Sequence, residues 1–195
     1  MRPVSHNENC KQCKDNVAAL LRAIYGQVER DVNIHIPAWL DDYAGGGLFP
    51  VLAPIHEALQ KHRGYEVFVR IRQIKPVDFF VRDRKLIVEF DESQHFTEPR
   101  GLALAHYPAD LPVAFPVERW SGLCLALKKR DNDPPYRDEA RAWFDTLRDF
   151  APRFLGGGRT HRLYAKDRVW CSLNPDHPAD REMFERLLEG EGEAA

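Results

Sequence analysis

Three of the acidic side chains in the stretch 75–96, KPVDFFVRDRKLIVEFDESQHF, fall at spacings that can converge: Asp78, Glu89 and Asp91, followed by Gln94 and His95. Carboxylates that converge on one face repel one another unless something positive joins them, and Mg2+ prefers such oxygen ligands. A neutral imidazole close by could shuttle a proton or bind phosphate. The rival reading is a salt-bridge cluster in which Arg70 or Arg72 neutralises the acids. A second constellation is Cys10-Lys-Gln-Cys13, half of a zinc site, whose missing ligands could be His6, His35, Cys171 or His177. A bare thiol pair without metal and a redox pair are the alternatives. Redox use wants a strand just before and a helix just after, and only the helix is evident. Cys124 lies on an apolar helical stripe and reads as core.

The elements that must position the acids follow from period-two alternation. Val77, Phe79 and Val81, then Leu86, Val88 and Phe90, make one apolar face, and Asp78, Glu89 and Asp91 share the other. A two-residue turn at Asp83-Arg84 pairs Arg82 with Lys85, Phe80 with Ile87 and Asp78 with Glu89. Directly opposed Cβ atoms lie roughly 5 Å apart. A slip of one residue would break that pairing.

With 195 residues, 44% hydrophobic and 11% aromatic, the chain has material for one core of ordinary size. A net charge of −2 argues against indiscriminate nucleic-acid binding, so any phosphate contact must come from local basic patches. No apolar run suits a membrane span and no signal-peptide pattern opens the chain, so we expect a cytoplasmic protein without a membrane partner. The four cysteines then read as reduced or metal-bound.

Helices are expected at 15–30, with Asp15 as N-cap, at 50–63 ahead of Gly64, at 120–129, at about 140–150 and at 179–188. A short helix or loop follows Pro99. Strands are expected at 65–71, in the hairpin, at 111–117 as an edge, and in a late hairpin of 162–164 with 169–173. Residues 31–49 read as a strand-like or irregular connection, Gly45-Gly46-Gly47 and 156–158 as flexible breaks, and the tail EGEGEAA as frayed. The class is α/β (α+β), a mixed sheet covered by helices.

A helix, then Pro76-Val77-Asp78 on one strand and Glu89-Phe90-Asp91 on the next, resembles the restriction-endonuclease-like, or PD-(D/E)XK, nuclease superfamily. The run from Glu89 to His95 resembles the branch that includes very-short-patch-repair endonucleases. The matching part covers about 50–115. The resemblance implies one domain over 1–195: an N-terminal helical extension at 1–44, a nuclease-like core at 48–118, and C-terminal helices and a hairpin at 119–195. It implies that Asp78 and Glu89 bind Mg2+ (or Mn2+) with the Phe90 carbonyl, that the ion holds a scissile phosphate and activates water, and that DNA, more than RNA, is the partner. The superfamily usually has Lys where Asp91 stands. Asp91 is then a metal ligand or base, or the mark of an inactive nuclease fold that binds nucleic acid in a repair or defence complex. Lys128 or Lys129 could supply the missing cation.

Glu57 stands on the preceding helix, where several members of that superfamily place another acid. Arg137 and Arg141, at i and i+4, could grip phosphates or form intrahelical ion pairs. Arg159, Arg162, Lys166 and Arg168 make the late hairpin basic. The oligomeric state stays open, a homodimer included.

Overall fold

The computed structural model describes residues 6–111, 113–154, 156 and 158–189. The frayed tail expected at the C-terminus, from 190 on, lies outside them. A four-stranded sheet runs in the order β1 (Glu29–Val32), β2 (Val77–Val81), β3 (Leu86–Asp91), β4 (Thr160–Tyr164). The first three strands are antiparallel, and β4 is parallel to β3. Six α-helices surround the sheet: α1 (Lys11–Tyr25), α2 (Phe49–Arg63), α3 (Glu98–Leu104), α4 (Val117–Leu127), α5 (Arg137–Phe154) and α6 (Pro178–Glu189). The α/β (α+β) class with a mixed, helix-covered sheet therefore holds.

The hairpin takes the register that alternation demands. Phe79 pairs with Val88, Phe80 with Ile87 and Val81 with Leu86, so the next pair outward sets Asp78 opposite Glu89. Its turn is longer than two residues: a 3-10 turn, Arg82–Arg84, followed by Lys85 at φ 49. Extra residues enter symmetrically, and the faces do not swap. The apolar face, with Phe79, Val81, Val88 and Phe90, is buried under Val17, Leu20 and Leu21 of α1 and Phe184 and Leu188 of α6. Full burial of each such side chain contributes about 1.5–3 kcal/mol. The opposite face lies against α5, whose Thr146 backs the sheet beside Asp145, Arg148 and Asp149, all buried. A second apolar cluster joins α2 to Trp143, Leu147 and Phe150 of α5, and a third joins Phe96 and Tyr164 to Trp120 of α4.

Several expectations are corrected or sharpened. The N-terminal segment takes part in the core: α1 covers a sheet face, and β1 pairs with β2 across the end of the expected helix and the start of the stretch read as a strand-like or irregular connection. Helix α1 begins at Lys11, and Asp15, expected as its cap, instead pairs with Arg30 at 2.5 Å. Residues 65–71 form no strand, because Phe68 alone there is buried, and the only pairing nearby is an isolated bridge between Pro37 and Gln73. The late hairpin is absent: β4 joins β3 in parallel, and the apolar Trp170–Ser172 is a 3-10 turn. The run 111–117, of which Pro112 lies outside the described residues, likewise forms no strand before α4 starts at Val117. Gly64, as expected, ends α2 in the left-handed region, at φ 75. Gly158 is fixed by close approach instead, since a Cβ there would meet the Lys85 carbonyl oxygen at 1.6 Å.

Candidate functional site

The polar face of β2 and β3 opens on a cleft of about 620 Å³. Asp78 and Glu89 line it from the sheet, Gln94 and His95 from the 3-10 turn Ser93–His95 after β3, and Arg137, Arg141 and Arg148 from α5. Four of the residues expected at the site, Asp78, Glu89, Gln94 and His95, are thus brought together. Glu57 is not. It is exposed on α2, pairs with Lys61 and does not line the cleft.

Asp78 is oriented by two donors. The Phe90 amide donates to Oδ2 at 2.9 Å and Lys14 Nζ to Oδ1 at 2.8 Å. Lys14 reaches the cleft from α1 and lies 5.8 Å from the centre of the Phe90 ring. Burial works against the Lys14 charge, but Asp78 outweighs it and holds the ammonium pKa above its ordinary value. Neither Lys128 nor Lys129 lines the cleft. Lys129 instead closes the end of α4 through its amide, which donates to the Phe96 carbonyl. Arg70 and Arg72 stay away as well, stacked on Tyr136 and Trp39.

Glu89 differs from Asp78. It is 6% exposed, and its Oε1 lies 3.4 Å from Arg148 Nε, yet neither atom makes a hydrogen bond. The contact is an ion pair at a distance, without hydrogen-bond geometry. Burial, helped by Asp78 and only partly opposed by Arg148, pushes the Glu89 pKa from the ordinary 4.5 up to about 7. A buried carboxylate that lacks a hydrogen bond on one oxygen, on a residue that lines a cleft, is a poor structural element and a good place for a cation or a proton.

Asp91 departs from its expected place in a metal site. It is 1% exposed and does not line the cleft. Trp120 Nε1 donates to Oδ2 at 2.8 Å, and Arg162 donates to Oδ1 at 2.7 Å. Arg162 also donates to Asp149 at 2.7 Å and to the Asp145 carbonyl at 3.1 Å. Arg100 and Tyr107 complete Asp149. Asp91 is therefore a member of a buried ion network in which its own two oxygens are satisfied, while Asp145 Oδ1 makes no hydrogen bond. His95 stands between the two regions: Nδ1 is 2.9 Å from Asp145 and 3.7 Å from Asp91. Burial would lower its pKa, but those two carboxylates prevail and raise it. With Nδ1 engaged, Nε2 is the nitrogen left for an occupant of the cleft.

Arg137 and Arg141 do share the cleft wall, held by Asp131 at 3.1 and 2.7 Å, and Arg141 also donates to the Gln94 carbonyl. The basic residues of the late segment stay out of the cleft: Lys166 faces Glu8, and Arg159, Arg168 and the buried Arg162 line a separate hollow.

The cysteine pair gains two partners from the candidates. Ligand atoms of His6, Cys10, Cys13 and Cys171 lie within 4.8 Å of one another, a group that could hold a metal ion. His6 Nε2 is 3.1 Å from Cys13 Sγ and 3.4 Å from Cys171 Sγ. His35 and His177 lie elsewhere, beside Gln73 and Asp180. The His6 hydrogen bond lowers the Cys10 pKa to about 7, and burial pushes Cys13 up to about 12. Cys124 is buried in α4, as expected.

The residues missing from the sequence reading are Glu8, Lys14, Asp145 and Arg148. A signal existed for one pair: Asp145 and Arg148 directly follow the apolar positions Phe144 and Leu147 of a long helix, where charges need partners. No protein-family model matches this chain, nor does any curated protein or solved structure.

Proposed function

We propose that this chain is a metal-dependent nuclease that hydrolyses phosphodiester bonds, in DNA, within a restriction-endonuclease-like fold. Glu89, opposite Asp78 and lining the cleft with a buried Oε1 that accepts no hydrogen bond, is the observation that carries the reading. Two opposed carboxylates and an open cleft suit a hard cation, so Asp78 and Glu89 would hold Mg2+ or Mn2+. Such an ion lowers the pKa of bound water and offsets charge developing on phosphate. The protein side chains supply the remainder. Asp145 fixes the His95 tautomer, leaving Nε2 to take a proton from water or give one to the departing oxygen. Lys14 provides the cation that position 91 lacks, and Arg137 and Arg141 flank the cleft as phosphate contacts. The antiparallel β1–β2–β3 with a parallel β4 supports the fold assignment.

Zinc suits the second cluster, since three thiols and an imidazole form a closed structural set. Thiols kept for metal fit the cytoplasm, and among the described residues no helix is long and apolar enough to cross a membrane. A second reading, a nucleic-acid-binding module without catalysis, draws support from Lys14 and Arg148, which already balance Asp78 and Glu89.

Incubation of the full chain with supercoiled plasmid and with single-stranded and branched DNA, with Mg2+, Mn2+ or EDTA, decides. Ion-dependent cleavage is expected, reduced by about two orders of magnitude or more in Asp78→Asn, the effect of losing several kcal/mol of charge stabilisation. DNA binding without cleavage would establish the binding module, and neither binding nor cleavage would sink both readings.

A further inference from the structure

The metal knuckle and the cleft share two residues of one short segment. Glu8 lies between the ligands His6 and Cys10, and Lys14 directly follows the ligand Cys13. Both side chains leave the knuckle: Lys14 ends in the cleft, and Glu8 ends on the turn beside it. Glu8 Oε2 accepts the Ser93 amide at 2.9 Å and the Ser93 hydroxyl at 2.5 Å, which anchors the turn that carries Gln94 and His95. Lys14 Nζ occupies Asp78 at 2.8 Å.

Besides these, residues 7–10 are held by local hydrogen bonds and a distant ion pair. The Cys10 amide donates to the Asn7 carbonyl at 3.1 Å, the Asn9 amide to the Asn7 side chain at 3.0 Å, and Lys166 lies 3.7 Å from Glu8. Cys171, by contrast, comes from the far end of the chain, on the 3-10 turn packed against α1. A metal ion bound by all four ligands would therefore tie the start of the chain to a fixed point of the core. It would fix Glu8 and Lys14 at the same time.

We propose that metal occupancy of the His6, Cys10, Cys13 and Cys171 knuckle positions the cleft: it holds Glu8 against the Ser93 turn and Lys14 against Asp78. The inference rests on the zinc and cleft readings above. Loss of the knuckle metal loosens the turn under His95 and releases the ammonium from Asp78. By linkage, the knuckle and a cation at Asp78 and Glu89 then affect one another through Lys14, which competes for the same carboxylate. Glu8 and Lys14 are positioning residues in this scheme.

The test uses the full chain, zinc-loaded and zinc-stripped, with two readouts other than activity. Hydrogen exchange at the Ser93 and His95 amides should quicken about tenfold on stripping, within the usual range of coupling between sites. Glu8→Ala, which keeps all four ligands, should retain about one zinc per chain and show the same quickening, and Glu8→Gln, which keeps an acceptor, should restore protection. Calorimetric Mn2+ affinity should rise about tenfold on stripping. It should rise equally in zinc-loaded Lys14→Met, where stripping then adds nothing. Should zinc leave without change in exchange or in Mn2+ affinity, or should the chain hold no zinc, the coupling is wrong. Should stripping unfold the chain, the two zinc-loaded variants still decide. Absence of Mn2+ binding in every form would sink the cleft reading alone, and exchange would still judge the Glu8 arm.

Discussion

Glu89 and Asp91 lie two residues apart on one strand, on the same face, and both are buried. Their environments are opposite. Asp91 receives a hydrogen bond on each oxygen, from Trp120 and Arg162, and its partner Arg162 is engaged by three further oxygens. Glu89 keeps an oxygen without a hydrogen bond and faces a cleft. A buried ion pair is strongly destabilised when one partner is removed. An under-satisfied carboxylate is held in place by its surroundings and is free to change occupant. Satisfaction, not burial or charge, separates the structural acid from the candidate functional one.

The largest effect should come from breaking the closed side. Arg162→Met keeps bulk but leaves Asp91, Asp145 and Asp149 without their shared guanidinium. We expect a loss of about 3–5 kcal/mol in denaturant unfolding. A loss under about 1 kcal/mol would show that the network does not hold the polar layer together.

The next test sets the two acids against each other. Asp91→Asn should cost about 1–3 kcal/mol, because one of two well-made acceptors is spoiled in a dry site. Glu89→Gln should carry the opposite sign above neutrality. The folded pKa of Glu89, about 7, lies above the ordinary 4.5. Its favourable contribution is thus complete below pH 4.5 and is lost as pH rises through about 7. Without a divalent ion, Glu89→Gln should match wild type near pH 4 and exceed it at pH 8, by at most on the order of 3 kcal/mol, less what Arg148 loses with its partner. Thermal melts across that window check it. Added Mn2+ should stabilise wild type increasingly through pH 7 and leave the variant unmoved. Equal responses of both acids to pH would erase the distinction.

Much of this contrast was legible, and the reason is local. Alternation alone set Asp78 opposite Glu89, because one apolar face fixes the register whatever the turn length. Gln94 and His95 followed by proximity in the chain. What closed over Asp91 came from far away: Trp120 from α4 and Arg162 from β4. A parallel strand buried on both faces ordinarily reads as an apolar run. Thr160-His161-Arg162-Leu163-Tyr164 does not, so its wholly buried character was hidden behind a basic pattern. Arg162 is tolerated there only because α5 brings Asp145 and Asp149. Lys14 was invisible for a similar reason. It belongs to a helix on the apolar side of the sheet, and only its long side chain reaches round to Asp78. The cysteine pair was legible as half a site. Its completion by His6 and Cys171 depended on the 3-10 turn at Trp170–Ser172, which had read as a strand.

The smallest effect should come from Glu57, the acid that the resemblance added to the site and that the fold leaves outside it. Its carboxylate is paired with Lys61 at i, i+4 on an exposed helix face. Such exposed pairs contribute little, because solvent screens them. The Lys61 hydrogen bond lowers its pKa, so whatever stability it adds is present above the ordinary carboxylate range and fades as pH falls through it. Glu57→Gln should therefore leave the unfolding transition where it is in wild type, and cleavage should equal that of wild type. Because the variant is expected to fold normally, a loss of cleavage there could not be ascribed to stability. It would mean that α2 approaches the cleft when DNA is bound, and the boundary drawn here between satisfied and unsatisfied acids would have to include an exposed one.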